Sequence, residues 1–163
     1  MKNLVLVRID DRLIHGQICT QWLKEIHGNK VLIIDEKVPT NPMQIRILKA
    51  AAPPDVKVVI KNVQEGIEYC KREPKDSNER ILLLVKTPDV IMALLKGGIP
   101  ISKVTLGGMG FKEGRRRINK NVSCSEEEIQ CLKEIISLGT AIEYQLVPSE
   151  PAQNFAKILK EGE

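Results

Sequence analysis

Apolar, largely β-branched residues recur in six short blocks along the chain, at residues 4–9, 31–35, 56–60, 81–85, 103–106 and 142–147. Each block is too continuous to alternate between core and solvent, which predicts strands buried on both faces, as in a parallel sheet. Amphipathic stretches separate them and predict helices over residues 16–26, 42–52, 63–72, 88–96, 125–138 and 151–160. Boundary signals agree. Thr87-Pro88-Asp89 sets a hydroxyl before a first-turn proline, Ser125-Glu126-Glu127-Glu128 reads as a capping box, and Gly28, Gly97-Gly98 and Gly139 stand where left-handed helix ends are wanted. Six alternations of strand and helix imply β-α-β crossovers. The expected fold is therefore α/β, one domain over residues 1–163, with an open, mostly parallel sheet and helices on both faces. The polar stretches at residues 73–80 and 111–121 predict loops, and the pattern leaves open whether the last helix packs on the sheet.

A chain of 163 residues with 42% hydrophobic and 28% charged positions is sized and composed for one globular domain. Its longest uninterrupted apolar run, Val90 to Leu95, has six residues, where a membrane span needs about 20. Arg8 breaks the first apolar block before a signal-peptide core could form, so a cytoplasmic chain is expected. Cys19, Cys70, Cys124 and Cys131 form no Cys-x-x-Cys pair, and the chain has two histidines, so no metal site is expected and the thiols read as reduced and mostly buried. Lys and Arg exceed Asp and Glu by 25 to 21, a net charge of +4. Aromatic residues are 3% of the chain and scattered, which argues against a base-stacking nucleic-acid module.

Chemistry concentrates where the first block ends. In Arg8-Ile9-Asp10-Asp11-Arg12-Leu13-Ile14-His15-Gly16-Gln17, two arginines, two carboxylates and an imidazole share one strand-to-helix loop, at the end of the sheet where α/β crevices form. A histidine at a helix N-terminus is disfavoured as imidazolium, so it keeps a neutral, nucleophilic nitrogen, and the nearby amides can hold an anion. This is the description of a phosphoryl acceptor. Arg12 offers a planar fork for phosphate oxygens, Arg8 could add charge from the strand end, and Asp10 or Asp11 could hold the loop or orient the ring. A solvated polar loop with an idle histidine is the plain alternative.

The run from Val7 to Gln17 resembles the active-site signature of the IIB components of the mannose/fructose/sorbose family of bacterial sugar phosphotransferase systems. Ala51-Ala52-Pro53, Gly97-Gly98-Ile99-Pro100, Gly107-Gly108-Met109, Val122-Ser123 and Leu138-Gly139 follow in that family's order, so the resemblance spans nearly the whole chain. Thr105-Leu106 stands where the family often reads Asn-Val, and Asp35-Glu36 where it often reads Asn-Asp or Ser-Asp. The resemblance implies that His15 takes a phosphoryl group from a phosphohistidine on a IIA partner and passes it to a sugar carried by IIC/IID membrane components, with which the chain would associate peripherally. It implies further that Arg12 is the catalytic residue that holds the phosphate and that Asp10 belongs with it in the same catalytic loop. From the residues themselves, Arg8, Asp11 and Gly16 read as phosphate-binding or loop support, and no cofactor is expected, since two arginines and helix amides supply the positive charge.

Three other features bear on the site. Asp35, at the end of the second block, is a strand-end carboxylate that could reach it. Gly107-Gly108-Met109-Gly110 reads either as a tight turn or as bare backbone that lets a phosphate or a partner approach. Lys112, Arg115, Arg116, Arg117 and Lys120 form the one concentrated basic patch, expected to be a docking rim for an acidic partner, with Arg115, Arg116 and Arg117 at its centre. His27 and Trp22 read as structural. A regulatory module that binds phosphate or a partner without turnover remains the rival class, and the pattern leaves homo-oligomer formation open.

Overall fold

The computed structural model describes residues 3–162, the side chain of Ile18 apart. Strands β1 (Leu4–Asp10), β2 (Lys30–Ile34), β3 (Lys57–Lys61), β4 (Ile81–Val85), β5 (Lys103–Gly108) and β8 (Ala141–Tyr144) fall on the six apolar blocks. Between and after them run α1 (Gly16–Glu25), α2 (Pro42–Ala51), α3 (Val63–Lys71), α4 (Pro88–Lys96), α5 (Glu126–Ser137) and α6 (Phe155–Glu161). Three strands of two residues each, β6 (Arg116–Arg117), β7 (Ser123–Cys124) and β9 (Gln153–Asn154), and a short 3-10 helix, Val38–Thr40, complete the described elements.

The main sheet has the order β3-β2-β4-β1-β5-β8-β9, parallel throughout except for β9, which runs antiparallel to β8. β1 is central, between β4 and β5. The chain winds outward from β1 to one side and returns through β4 before crossing to β5, so the carboxyl end of β1 is a topological switch point. Residue parity divides the core. Val7, Ile9, Leu32, Ile34, Leu83 and Val85 pack with Ile91, Leu94, Leu132 and Phe155 of α4, α5 and α6. Leu6, Val31, Ile33, Leu82 and Leu84 pack on the other face with Trp22, Leu23 and Leu48 of α1 and α2. The sheet is thus covered on both faces, and β4 is buried along its length.

Helix boundaries follow the local chemistry with instructive exceptions. Ser125 accepts from the Glu128 amide while the Glu128 side chain accepts from the Ser125 amide, which closes the expected capping box. Thr87 precedes Pro88 as expected, but its hydroxyl caps nothing. Gly98 and Gly139 adopt positive φ, whereas at the end of α1 the left-handed residue is His27, not Gly28. The stretch at 111–121 is not wholly loop, since β6 pairs with β7 as a small hairpin. α6 begins at Phe155, where Asn154 caps the Lys157 amide, because Gln153 and Asn154 are taken by β9. Phe155 and Leu159 are buried, so this helix belongs to the main core.

Candidate functional site

β1 ends at Asp10, and five residues later α1 begins with His15 at its N-cap in extended conformation and Gly16 at φ +47°. The loop between alternates anchors and functional groups. Leu13 and Ile14 are buried in the α1-side core, and Leu13 holds a φ of 60°, with its amide donating to the Asp10 carbonyl at 2.9 Å. A leucine in the left-handed region is strained by ~1–3 kcal/mol, tolerated here because its burial fixes the turn. That turn directs Arg12 and His15 back toward Asp10.

Asp10 is the hub. Its side chain is fully buried, and Oδ1 accepts from the Arg12 backbone amide and Nε, each at 3.1 Å. Oδ2 meets Arg12 Nη2 at 3.2 Å, His15 Nε2 at 3.1 Å and Arg8 Nη2 at 3.5 Å. Burial alone would push this carboxyl up, but hydrogen bonds from His15 and Arg12, reinforced by the Arg12 charge, hold it below the usual carboxylate range. An ionised carboxylate can only accept, so the His15 atom facing it, Nε2, donates, and Nδ1 is the ring nitrogen left free of Asp10. Of the two candidate carboxylates, Asp10 is the one in contact with the ring.

Arg8 does not supply charge to the crevice. Its side chain is 2% exposed and donates to the carbonyls of Gln145 at 2.8 Å and Leu146 at 2.9 Å, beyond the end of β8. Trp22 donates Nε1–H to the same Leu146 carbonyl at 3.0 Å and lies under the Arg8 guanidinium, 5.1 Å from its ring centre. Arg8 thus ties β1 to β8 and to α1 and supports the loop from below. Arg12 is the exposed arginine of the pair, with a side chain 47% exposed, and none of the described residues accepts from its Nη1.

Gly107 and Gly108 close β5 rather than forming a turn after it, and side chains fill the space beside them. Pairing of β1 with β5 skips from Ile9 opposite Leu106 to Asp10 opposite Gly108, so Gly107 bulges beside Arg8. A Cβ on Gly108 would stand 3.1 Å from Arg12 Nη2 and 3.2 Å from Asp10 Oδ1. Both glycines are bare so that the two arginines fit.

Asp11 turns the other way. Its Oδ2 accepts from the Gly110 amide at 2.7 Å and lies 3.5 Å from Arg115 Nη1. Arg115, expected on an exposed docking rim, is instead buried. It donates to both carboxylate oxygens of Glu128, at 2.9 and 2.8 Å, and to the Gly110 carbonyl at 2.7 Å. Arg116 and Arg117 are exposed as expected, Arg116 pairing with Glu126 at 3.2 Å. Asp35 is also accounted for elsewhere: it accepts from the amides of Lys37 and Val38 at 3.0 Å each, at the end of β2, which β4 separates from β1. Cys19 lies close enough to feel Arg8 and Asp10, but burial pushes its thiol up to about 11, so it is no nucleophile.

Sequence patterns had not singled out Glu128 beyond its cap, nor the Gln145 and Leu146 carbonyls. A backbone acceptor has no residue signature. Beside Arg12 opens a cleft of about 610 Å³, lined among others by Gly110, Phe111, Arg117, Lys120 and Asn121.

The chain matches the family described as PTS system sorbose subfamily IIB component over residues 4–163. It is 37% identical over 156 residues to the sorbose-specific EIIB component of Lacticaseibacillus casei, covering 95% of this chain and 94% of that protein. It is 34% identical over 146 residues to the mannose-specific EIIAB component of Escherichia coli K12, covering 90% of this chain and 45% of that longer protein. Among solved structures, the IIBSor domain of the sorbose permease from Klebsiella pneumoniae superposes with a TM-score of 0.93 at 28% identity, covering 99% and 98% of the two chains.

Proposed function

The chain belongs to the sorbose subfamily of phosphotransferase-system IIB components, and we propose that within it His15 is the phosphoryl carrier, loaded by a IIA phosphohistidine and discharged to a sugar held by IIC/IID membrane components. The observation that carries this reading is the 3.1 Å contact from His15 Nε2 to Asp10 Oδ2, on a carboxylate that also seats Arg12. With Nε2–H donated to Asp10, the Nδ1 lone pair attacks phosphorus while the donor's N–P bond breaks and its imidazole leaves with the electron pair. The phosphorylated ring becomes cationic, and Asp10 stabilises that charge. Arg12, through its unengaged Nη1, and the first amides of α1 offset the charge on the phosphoryl oxygens. In the second step a sugar hydroxyl attacks phosphorus, the His15 N–P bond breaks, and the hydroxyl proton is released. Positioning and charge stabilisation account for such transfers more than new covalent machinery does.

Two further statements belong to the reading. A relative that joins A and B units in one EIIAB chain supports a IIA donor, and the exposed cations around the cleft suit an acidic partner. The test is intact mass after incubation with the general phosphotransferase proteins, a IIA protein and phosphoenolpyruvate. The wild-type chain should gain one phosphoryl group, lost on adding sugar-loaded IIC/IID vesicles, and His15→Gln should gain none. A His15→Gln chain that still accepts an acid-labile phosphate overturns the assignment; a wild-type chain that binds the phosphorylated donor yet never gains mass is a regulatory module instead.

A further inference from the structure

We propose that Phe111 is the apolar anchor of the surface on which the phosphoryl-donor protein docks, an inference that rests on the carrier reading above and adds a specific contact to it. Phe111 is 76% exposed, one of four large hydrophobic side chains so exposed among the described residues, with Met43, Ile47 and Leu138. It is the one of these that lines the cleft it shares with Arg12, so a partner seated on it reaches the His15 loop.

The ring is held out by a built turn. The Gly110 amide donates to Asp11 at 2.7 Å, the Gly110 carbonyl accepts from buried Arg115 at 2.7 Å, and the Arg115 amide closes back on the Lys112 carbonyl at 3.0 Å. Bonds on both sides of Phe111 fix its backbone before any partner arrives, which lowers the ordering cost of binding. A preformed aromatic projection ringed by polar groups is the usual anatomy of an interface hot spot.

The rim selects the partner's charge. Lys112, Arg117 and Lys120 are exposed around Phe111, against Glu113 in the same turn, and Asp11 is already engaged by Gly110 and Arg115. The fitting occupant is a protein with an apolar socket, carboxylates at its margin and a phosphohistidine beside it. A sugar ring alone offers no such charge. Of the two proteins that must approach His15, the phosphorylated donor brings the anionic group to an empty site, whereas the sugar-bearing acceptor meets a site whose phosphate already offsets Arg12.

The test compares Phe111→Ser and Phe111→Leu with wild type in the full chain, using phosphorylated IIA protein as one donor and phosphoramidate as the other. Phe111→Ser should raise the KM for phosphorylated IIA by ~10-fold or more and leave kcat near wild type, with Phe111→Leu in between. Loading by phosphoramidate should be unchanged, as should discharge to sugar-loaded IIC/IID vesicles from chain loaded in that way. An unchanged KM, an equal loss with phosphoramidate, or a loss confined to discharge would each overturn the proposal. If wild type takes no phosphoryl group from either donor, the carrier reading itself fails; if wild type loads and Phe111→Ser matches it, only this surface does.

Discussion

A Cβ atom on Gly107 would lie 2.0 Å from Nη2 of Arg8 and 2.2 Å from its Cζ. The guanidinium is the far end of a long side chain, but it cannot swing aside, because it is buried and fastened to Gln145, Leu146 and Asp10. Gly107→Ala should therefore destabilise the fold by ~2–4 kcal/mol, overpacking and broken hydrogen bonds together. The same substitution in an Arg8→Ala background should cost at least ~1 kcal/mol less, since the space is then vacant. Urea midpoints for the four chains of this cycle check it, and additive costs would show that the two residues do not compete for one volume.

Asp10→Asn keeps the shape of the hub and removes its charge. The amide cannot serve Arg8, Arg12 and His15 at once, and it presents a donor to a ring nitrogen that already donates. Loading of His15 by phosphorylated IIA should fall by ~100-fold or more, the range for losing a positioned acid–base partner. Nitrogen chemical shifts of His15 should report a changed tautomer balance in the unphosphorylated protein. An unaltered tautomer with an unaltered rate would leave the Asp10 contact without a role.

Arg12→Lys preserves charge but not the fork that grips Asp10 with Nε and Nη2 while leaving Nη1 outward. An ammonium cannot do both, so transfer should slow by ~10–1000-fold with little change in stability. Rapid-quench transfer rates equal to wild type would make Arg12 a bystander.

Much of this arrangement is legible in the residues, and the illegible parts share a cause. The six principal strands and the sheet's two covered faces follow from continuous apolar blocks of four to six residues, whereas β6, β7 and β9 are two residues each and too short to show a period. The fate of Arg8 was implicit in its place: Leu6, Arg8 and Asp10 share one face of β1, so an arginine within a doubly covered strand has to be buried. Arg115 carried no such sign. Its partner Glu128 is thirteen residues away across the β6–β7 hairpin, and three consecutive arginines look alike until the hairpin turns one of them inward.

That inward turn makes Arg115 a positioning residue rather than a docking one. It joins the α5 cap at Glu128 to Gly110 and Asp11, so Arg115→Met should leave Glu128 half-buried without its cation and cost ~2–4 kcal/mol. Loss of the clamp should also lower loading by phosphoramidate, where Arg117→Gln should leave both stability and that small-molecule reaction intact. Melting curves and phosphoramidate rates for the two variants decide the contrast; matching behaviour would mean that the buried Arg115 contacts neither stabilise the fold nor position the site.

At the amino ends of the strands lies a second ionic cluster, which should make the stability of the fold depend on pH in the acid range. Glu79 is nearly buried and accepts from Arg72 at 2.8 Å, from Asn3 at 3.0 Å and from Lys30. Burial would push its carboxyl up, but Arg72, Lys30 and Asn3 together pull it down from 4.5 to about 2. A folded value below the unfolded one means that the contribution is fully present above the unfolded value of 4.5 and is lost as pH falls from there toward about 2. Glu79→Gln removes that dependence and leaves Lys30 and Arg72 facing each other, at a cost of ~2–4 kcal/mol near neutral pH. The cluster lies at the opposite end of the sheet from His15, so loading of the folded variant should persist. Urea midpoints followed from neutral pH down through the acid range should fall less steeply for Glu79→Gln than for wild type, the two curves converging as Glu79 protonates. Parallel curves would place the acid sensitivity on another carboxylate, with Asp10, also held low by its partners, the next to examine.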